Sequence, residues 1–185
     1  MAITGNITTV QSGGGFLAIY PSDAPQPLVA NSNYLPNEII NNSFTVGVGA
    51  VDGAVKISVT TNTDVVIDVT GYYAPPATGG LYFHPLPRPV RLLETRVGYS
   101  GCSAPAAPLQ GGTNTVQQGT GACAGLTIPS EALALVGNAT TVAPAALGYL
   151  TLYPAGAAQP LIASSNYNAG QIVNGPFTVG LAPSG

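Results

Sequence analysis

The chain has 185 residues, of which 6% are charged, and a net charge of −3; ordinary soluble domains are about 25% charged. With 45% apolar residues it is no disordered polymer, which combines low hydrophobicity with high net charge. Four cations (Lys56, Arg88, Arg91, Arg96) make no basic stripe for nucleic acid, and no apolar run reaches the ~18 residues of a spanning helix.

Taken in order, the elements read as short strands between tight turns, in keeping with 24 glycines and 17 prolines. Residues 7–10 and 16–20 are β-prone, and Gly13-Gly14-Gly15 between them reads as a hairpin connection. The proline-rich stretch 21–27 is loop or edge, since proline cannot donate to a ladder. Residues 28–34 read as a strand turning polar, 44–48 as a strand, and Asp52-Gly53 as a turn. The strongest hairpin signal follows. Val55, Ile57 and Val59 point inward and Lys56, Ser58 and Thr60 outward; Thr61-Asn62-Thr63 turns the chain, and 64–73 returns. Residues 74–80 are the clearest linker. Residues 81–89, aromatic and proline-rich, form an extended strap laid across a surface, and 90–96 read as a strand. The Cys102–Cys123 segment is a long loop, and in an oxidising compartment the pair reads as a disulfide worth roughly 3 kcal/mol; a metal site is the weaker reading, with no CxxC and no nearby histidine. Residues 130–135 offer one helical turn at most.

A period of 133 residues organises the chain. Tyr20-Pro21, Gln26-Pro27-Leu28, Ser32-Asn33-Tyr34, Asn41 and Phe44-Thr45-Val46-Gly47 return as Tyr153-Pro154, Gln159-Pro160-Leu161, Ser165-Asn166-Tyr167, Asn174 and Phe177-Thr178-Val179-Gly180. Gly5-Asn6 returns as Gly137-Asn138, one residue out of phase. Residues 1–75 therefore read as the C-terminal part of a first repeat unit and 76–185 as the N-terminal part of a second. The expected fold is all-β: an antiparallel β-sandwich, jelly-roll or immunoglobulin-like in general architecture, built from out-of-phase units, with a single permuted or strand-swapped sandwich as one way to close it. Surplus strands leave unpaired edges, which invite self-association as a homodimer or higher oligomer.

Arg91-Leu92-Leu93-Glu94-Thr95-Arg96, Gly137-Asn138-Ala139-Thr140, Tyr153-Pro154, Ser165-Asn166-Tyr167 and the run from Asp64 to Tyr73 resemble a repeat of secreted and surface-attached bacterial proteins. That repeat usually opens Arg-Leu-Leu-Asp-Thr-Arg and closes near Gly-Tyr-Tyr; here Glu94 stands in place of Asp. The resemblance implies export, an all-β module and an accessory or structural role beside other extracellular modules.

Each candidate site has a plainer reading beside it. His84, the only histidine, could be a base or ligand, but lies in the aromatic strap. Glu94 and Arg96, with Arg91, could bind an anion or form an Arg–carboxylate bridge; on a strand, Arg91 would face away from the other two. Asp64 and Asp68 could serve acid–base or Ca²⁺ chemistry, or lie on a solvated face. Asn33, Tyr34, Asn166 and Tyr167 are residue types that bind sugars, amides for hydroxyls and rings for stacking; their plainer role is to satisfy turns and cap a core edge. No nucleophile or phosphate-loop motif is present.

The expected function is that of a structural or adhesive repeat module of an exported bacterial protein. The alternatives are a carbohydrate-binding module and a weak ester or phosphoester hydrolase. No cofactor, metal, nucleic acid or membrane span is expected. The expected location is extracellular or cell-surface, although Met1-Ala2-Ile3-Thr4-Gly5 opens no signal peptide.

Overall fold

The computed structural model describes residues 1–10, 13–75 and 79–183. The fold is all-β, and among the described residues no segment is helical. The strand β1 (Ala2–Val10) is the centre of an antiparallel sheet, between β4 (Ile40–Gly47) and β6 (Asp64–Tyr73). The strand β2 (Gly13–Pro21) is the centre of a second, between β3 (Ser32–Pro36) and β5 (Val55–Val59). Three two-stranded sheets follow: β7 (Gly121–Cys123) with β8 (Leu126–Ile128), β9 (Ala134–Val142) with β12 (Ile172–Gly180), and β10 (Gly148–Leu150) with β11 (Ser165–Tyr167).

Two compact units result. One comprises Met1–Thr78, Val136–Leu152 and Ala158–Val179; the other comprises Gly79–Leu135, Tyr153–Ala157 and Gly180–Gly185. Both three-stranded sheets lie in the first unit and contribute to its core. Ile7 of β1, Leu17 and Ile19 of β2, Tyr34 of β3, and Phe44 and Val46 of β4 are buried together. Ile3, Ile40, Val55, Val65 and Ile67 pack around them. Burying each such side chain stabilises the fold by about 1.5–3 kcal/mol.

Strand pairing departs from the sequence expectation in two places. Gly13, Gly14 and Gly15 do not form a hairpin turn: they begin β2, and β1 and β2 belong to different sheets. Gln11 and Ser12 lie outside the described residues, as do Pro76, Ala77 and Thr78 of the expected linker. Likewise β5 and β6 do not pair with each other; β5 joins β2 and β6 joins β1. Short connections here cross from sheet to sheet, so period-2 alternation identified the strands but not their partners. The inward set Val55, Ile57, Val59 does share a face with Leu17 and Ile19, since Ile57 is opposite Ile19 and Val59 opposite Leu17. Because β5 is an edge strand, however, Ile57 and Val59 stay 44% and 39% exposed.

Gly5 has a steric reason. The β1–β6 register shifts between Thr4 and Gly5, and a Cβ at Gly5 would fall on the Asp68 carbonyl oxygen. Only glycine lets β6 bulge that close.

In the second unit, residues 90–96 are not a strand. The Leu93–Ser103 contact is an isolated bridge, held by Glu94 N–H to Ser103 O, Cys102 N–H to Arg91 O and Ser103 N–H to Leu92 O, each 2.9 Å. The Cys-bounded loop ends in the β7–β8 hairpin, which its unpatterned sequence does not announce. Ala124 (φ 49°) and Gly125 (φ 77°) make the turn, the left-handed pair that a two-residue hairpin requires. Alanine there costs about 1 kcal/mol, and Arg88 Nη2 donates to the Ala124 carbonyl. Cys102 and Cys123 stand at disulfide distance, Cα–Cα 5.2 Å.

The internal period reappears in the hydrogen bonds. Gly15–Tyr34, Phe16–Asn33 and Leu17–Ser32 are opposed across β2–β3; Gly148–Tyr167, Tyr149–Asn166 and Leu150–Ser165, each 133 positions on, are opposed across β10–β11. Tyr34 Oη donates to Phe16 O and Tyr167 Oη to Tyr149 O, both at 3.3 Å. Asn31 Oδ1 accepts from Ile19 N–H, and Ser164 Oγ accepts from Leu152 N–H. Val48 N–H reaches Met1 O as Leu181 N–H reaches Leu133 O.

Candidate functional site

Within the first unit, the polar residues of β1, β4 and β6 converge on one face. Strand pairing sets Asn41 opposite Thr8, and Asp68 opposite Asn6, so all four side chains emerge on the side away from the core. The loop and strand around β11 cover them. Asn166 N–H donates to Asn41 Oδ1 at 2.7 Å, and Asn166 Nδ2 to Thr8 Oγ1 at 3.2 Å. Ala163 N–H donates to Asp68 Oδ2, and Asn6 Nδ2 to Ala163 O, both at 3.1 Å. Asn41 Nδ2 closes the set onto Asn6 Oδ1. Nearby, Ser43 Oγ donates to Pro176 O at 2.7 Å. Asn6, Thr8 and Asn41 are buried in consequence. This asparagine seat joins the first copy of the repeated words to the second. A groove of about 280 Å³ opens beside it, lined by Val10, Val66, Tyr149, Leu161 and Ile162 among others.

The second unit carries a different cluster. Glu94 is 6% exposed and accepts from Arg91 Nη1 at 2.6 Å, Arg96 Nη2 at 2.8 Å, and Arg96 Nε and backbone N–H at 3.0 Å. The Arg96 side chain above all, then its backbone N–H and Arg91, hold the Glu94 carboxyl well below the usual carboxylate range. Glu94 in turn raises the Arg96 guanidinium, which stacks 3.9 Å from the centre of the Tyr99 ring. Arg91 reaches Glu94 because the segment is coil; a strand would have turned it away. With both carboxylate oxygens taken, the clamp offers Glu94 no free lone pair for acid–base work. A second groove in this unit, about 290 Å³, is lined by the disulfide, Gln117, Gln118 and Val116.

The residues singled out in the sequence divide clearly. Tyr34 is 3% exposed and part of the core. Asn166 belongs to the seat, and Tyr167 is half-buried with its hydroxyl bonded. Only Asn33 of that quartet is exposed. Asp68 takes part in the seat, whereas Asp64 is exposed. His84 is exposed in the strap, among exposed Tyr82 and Phe83. Among the described residues no three His, Cys, Asp or Glu side chains could hold a metal ion. Among the described residues no helix is long and apolar enough to cross a membrane. Nothing local in the sequence groups Asn6, Thr8 and Asn41. The signal was present in their shared parity on β1 and its partner, but it needed the β1–β4 register. Compared with protein families, curated proteins and solved structures, the chain matches none.

Proposed function

We propose that the chain is a structural spacer or adhesive repeat module of an exported bacterial protein. In this reading it carries the C-terminal part of one repeat unit (1–75) and the N-terminal part of the next (76–185), and its work is to join units rather than transform a substrate. One observation carries the reading: the polar groups that would serve a ligand are already bonded to the chain itself. Asn6, Thr8, Asn41 and Asp68 are occupied by Ala163 and Asn166, and Glu94 by two arginines. A buried, mutually hydrogen-bonded polar network rigidifies and specifies a contact. A disulfide-distance cysteine pair suits an oxidising, extracellular setting. A carbohydrate site would need open rings and amides, yet Tyr34 is buried. A hydrolase centred on His84 would need an oriented partner, and among the described residues none is hydrogen-bonded to His84, which is exposed beside exposed Tyr82 and Phe83.

The test is a glycan array and a panel of activated esters and phosphotriesters, run with the intact chain. The spacer reading expects neither binding nor turnover. Glycan binding lost on Tyr167→Ala, or turnover lost on His84→Ala with the fold retained, overturns it.

A further inference from the structure

The asparagine seat uses only part of Asp68. One oxygen, Oδ2, accepts the Ala163 N–H at 3.1 Å. Among the described residues no donor is bonded to Oδ1, and no cation pairs with this carboxylate; the ion pairs are those of Glu94 with Arg91 and Arg96. A carboxylate has lone pairs on both oxygens, so half-buried Asp68 keeps one oxygen for a donor from outside.

Asp68 lines the groove of about 280 Å³ beside the seat, and the walls around it are apolar: Val10, Ile39, Val66, Tyr149, Leu161 and Ile162. All of these residues lie in the first unit. Val10 and Val66 share the outer face of β1 and β6 with Asn6, Thr8 and Asp68. A face turned to water alone would alternate to polar residues at those two places. Val66 and Tyr149 are exposed, and Leu161 is 99% exposed, so the seat does not cover them.

We propose that this groove binds a primary alkylammonium group, and that its occupant is a lysine side chain on the surface of another protein. The charge is complementary to the unpaired carboxylate. An ammonium is a compact point charge that can sit on a single oxygen. The planar fork of arginine calls for both oxygens, and Oδ2 is already spent on Ala163. The aliphatic stem of lysine has the apolar walls to lie along, and the face of the Tyr149 ring also attracts a cation. Sites for drug-sized ligands run from roughly 300 to 1,000 Å³, so this smaller groove suits one side chain. The inference rests on the adhesive part of the preceding reading and names the group that would be gripped.

The experiment titrates n-butylammonium, n-butylguanidinium and n-butanol into the intact, disulfide-bonded chain, read by amide chemical shifts. The expected result is saturable change at 66–68 and 161–166 with n-butylammonium. The guanidinium should bind at least about threefold more weakly, and the alcohol at least about tenfold. A capped Gly-Ala-Lys-Ala-Gly peptide should bind like n-butylammonium, and its Nε-acetylated form should lose about tenfold or more. Asp68→Asn keeps an acceptor for the Ala163 N–H, and should weaken binding by about tenfold or more. Leu161→Ser, at a side chain that supports no core, should weaken it by about threefold. Absence of saturable binding, equal binding of the guanidinium, or full binding by Asp68→Asn would each overturn the proposal. Binding of n-butylammonium without the peptide would make a free amine the occupant, and self-association abolished by Lys56→Met would make it a second copy; either overturns the assignment to another protein. A failed titration leaves the spacer reading standing on its glycan and ester result. Turnover or sugar binding removes that reading and leaves the ammonium titration as it was.

Discussion

The first and second copies are close to a controlled comparison within one molecule. Phe44 and Phe177 occupy equivalent places beside equivalent strands, yet Phe44 is buried and Phe177 half-buried. The same holds for Leu17 against Leu150 and Val46 against Val179. Since the side chains match at these three positions, the difference reflects what the two flanking strands β5 and β6 contribute to the first copy: they convert a half-covered apolar face into a core. The comparison also separates local from non-local causes. Turn bonds such as Ala24 N–H to Pro21 O and Ala157 N–H to Pro154 O form in both copies, with or without a completed sheet.

The sharpest way to break that comparison is to make one substitution in both places. Phe44→Ala should cost about 3–5 kcal/mol. Phe177→Ala, removing a side chain already half in water, should cost well under half of that. Urea denaturation of each variant measures the difference, and equal losses would mean that the second copy is as well packed as the first. Next in size is reduction of the disulfide. Opening the Cys102–Cys123 loop, with a sequence separation of 21, should destabilise by roughly 3 kcal/mol. Hydrogen exchange should show the loss over 90–128 and leave β1 to β6 unchanged. Third, Asn41→Ala removes the acceptor for Asn166 N–H and should cost about 1–3 kcal/mol. The loss should appear as faster exchange at 163–167, while the first core keeps its protection.

The smallest effect is one of pH. The Glu94 carboxyl titrates well below its ordinary value of 4.5 in the folded chain, because Arg96 and then Arg91 favour its charged form. The unfolded chain therefore takes up that proton first as pH falls. The clamp's contribution is fully present above about pH 4.5 and declines from there toward the lower folded value. Asp52, lowered by Ser22 and the Ala54 N–H, adds a slope of the same sign. Denaturation midpoints measured from pH 7 to pH 3 should fall on the acid side. Glu94→Gln should flatten that fall and leave only the Asp52 part; an unchanged slope would count against the clamp.

Strand content was legible in the sequence because alternation is a local signal, and so was the period, because words such as Ser32-Asn33-Tyr34 recur intact. Partnership was not. Residues 54–60 and 64–73 look like a hairpin, since a three-residue turn signal separates two alternating runs, yet each strand joins a different sheet. Nothing local distinguishes a turn that folds a strand back from one that carries it across. Glu94 was misjudged in geometry for a related reason. Treating 90–96 as a strand imposed an alternation that put Arg91 on the wrong side, whereas the backbone follows Cys102 and Ser103 instead. The words around Asn33 and Asn166 are visible as a repeated polar group, which reads either as a sugar-binding surface or as turn and core-edge residues. Only the pairing of β1 with β4 and β6 makes Asn6, Thr8, Asn41 and Asp68 a single surface, and only the second copy buries it.

That seat joins unlike faces: the outer side of β1, β4 and β6 from one copy, and the loop and strand around Asn166 from the other. Each copy therefore keeps the face that its neighbour used. Asn138, Thr140 and Asn174, the counterparts of Asn6, Thr8 and Asn41, are exposed on the second copy; Ala30 and Asn33, the counterparts of Ala163 and Asn166, are exposed on the first. A joint of this kind has a direction. It pairs two unlike faces, as a head-to-tail contact does and a twofold contact does not.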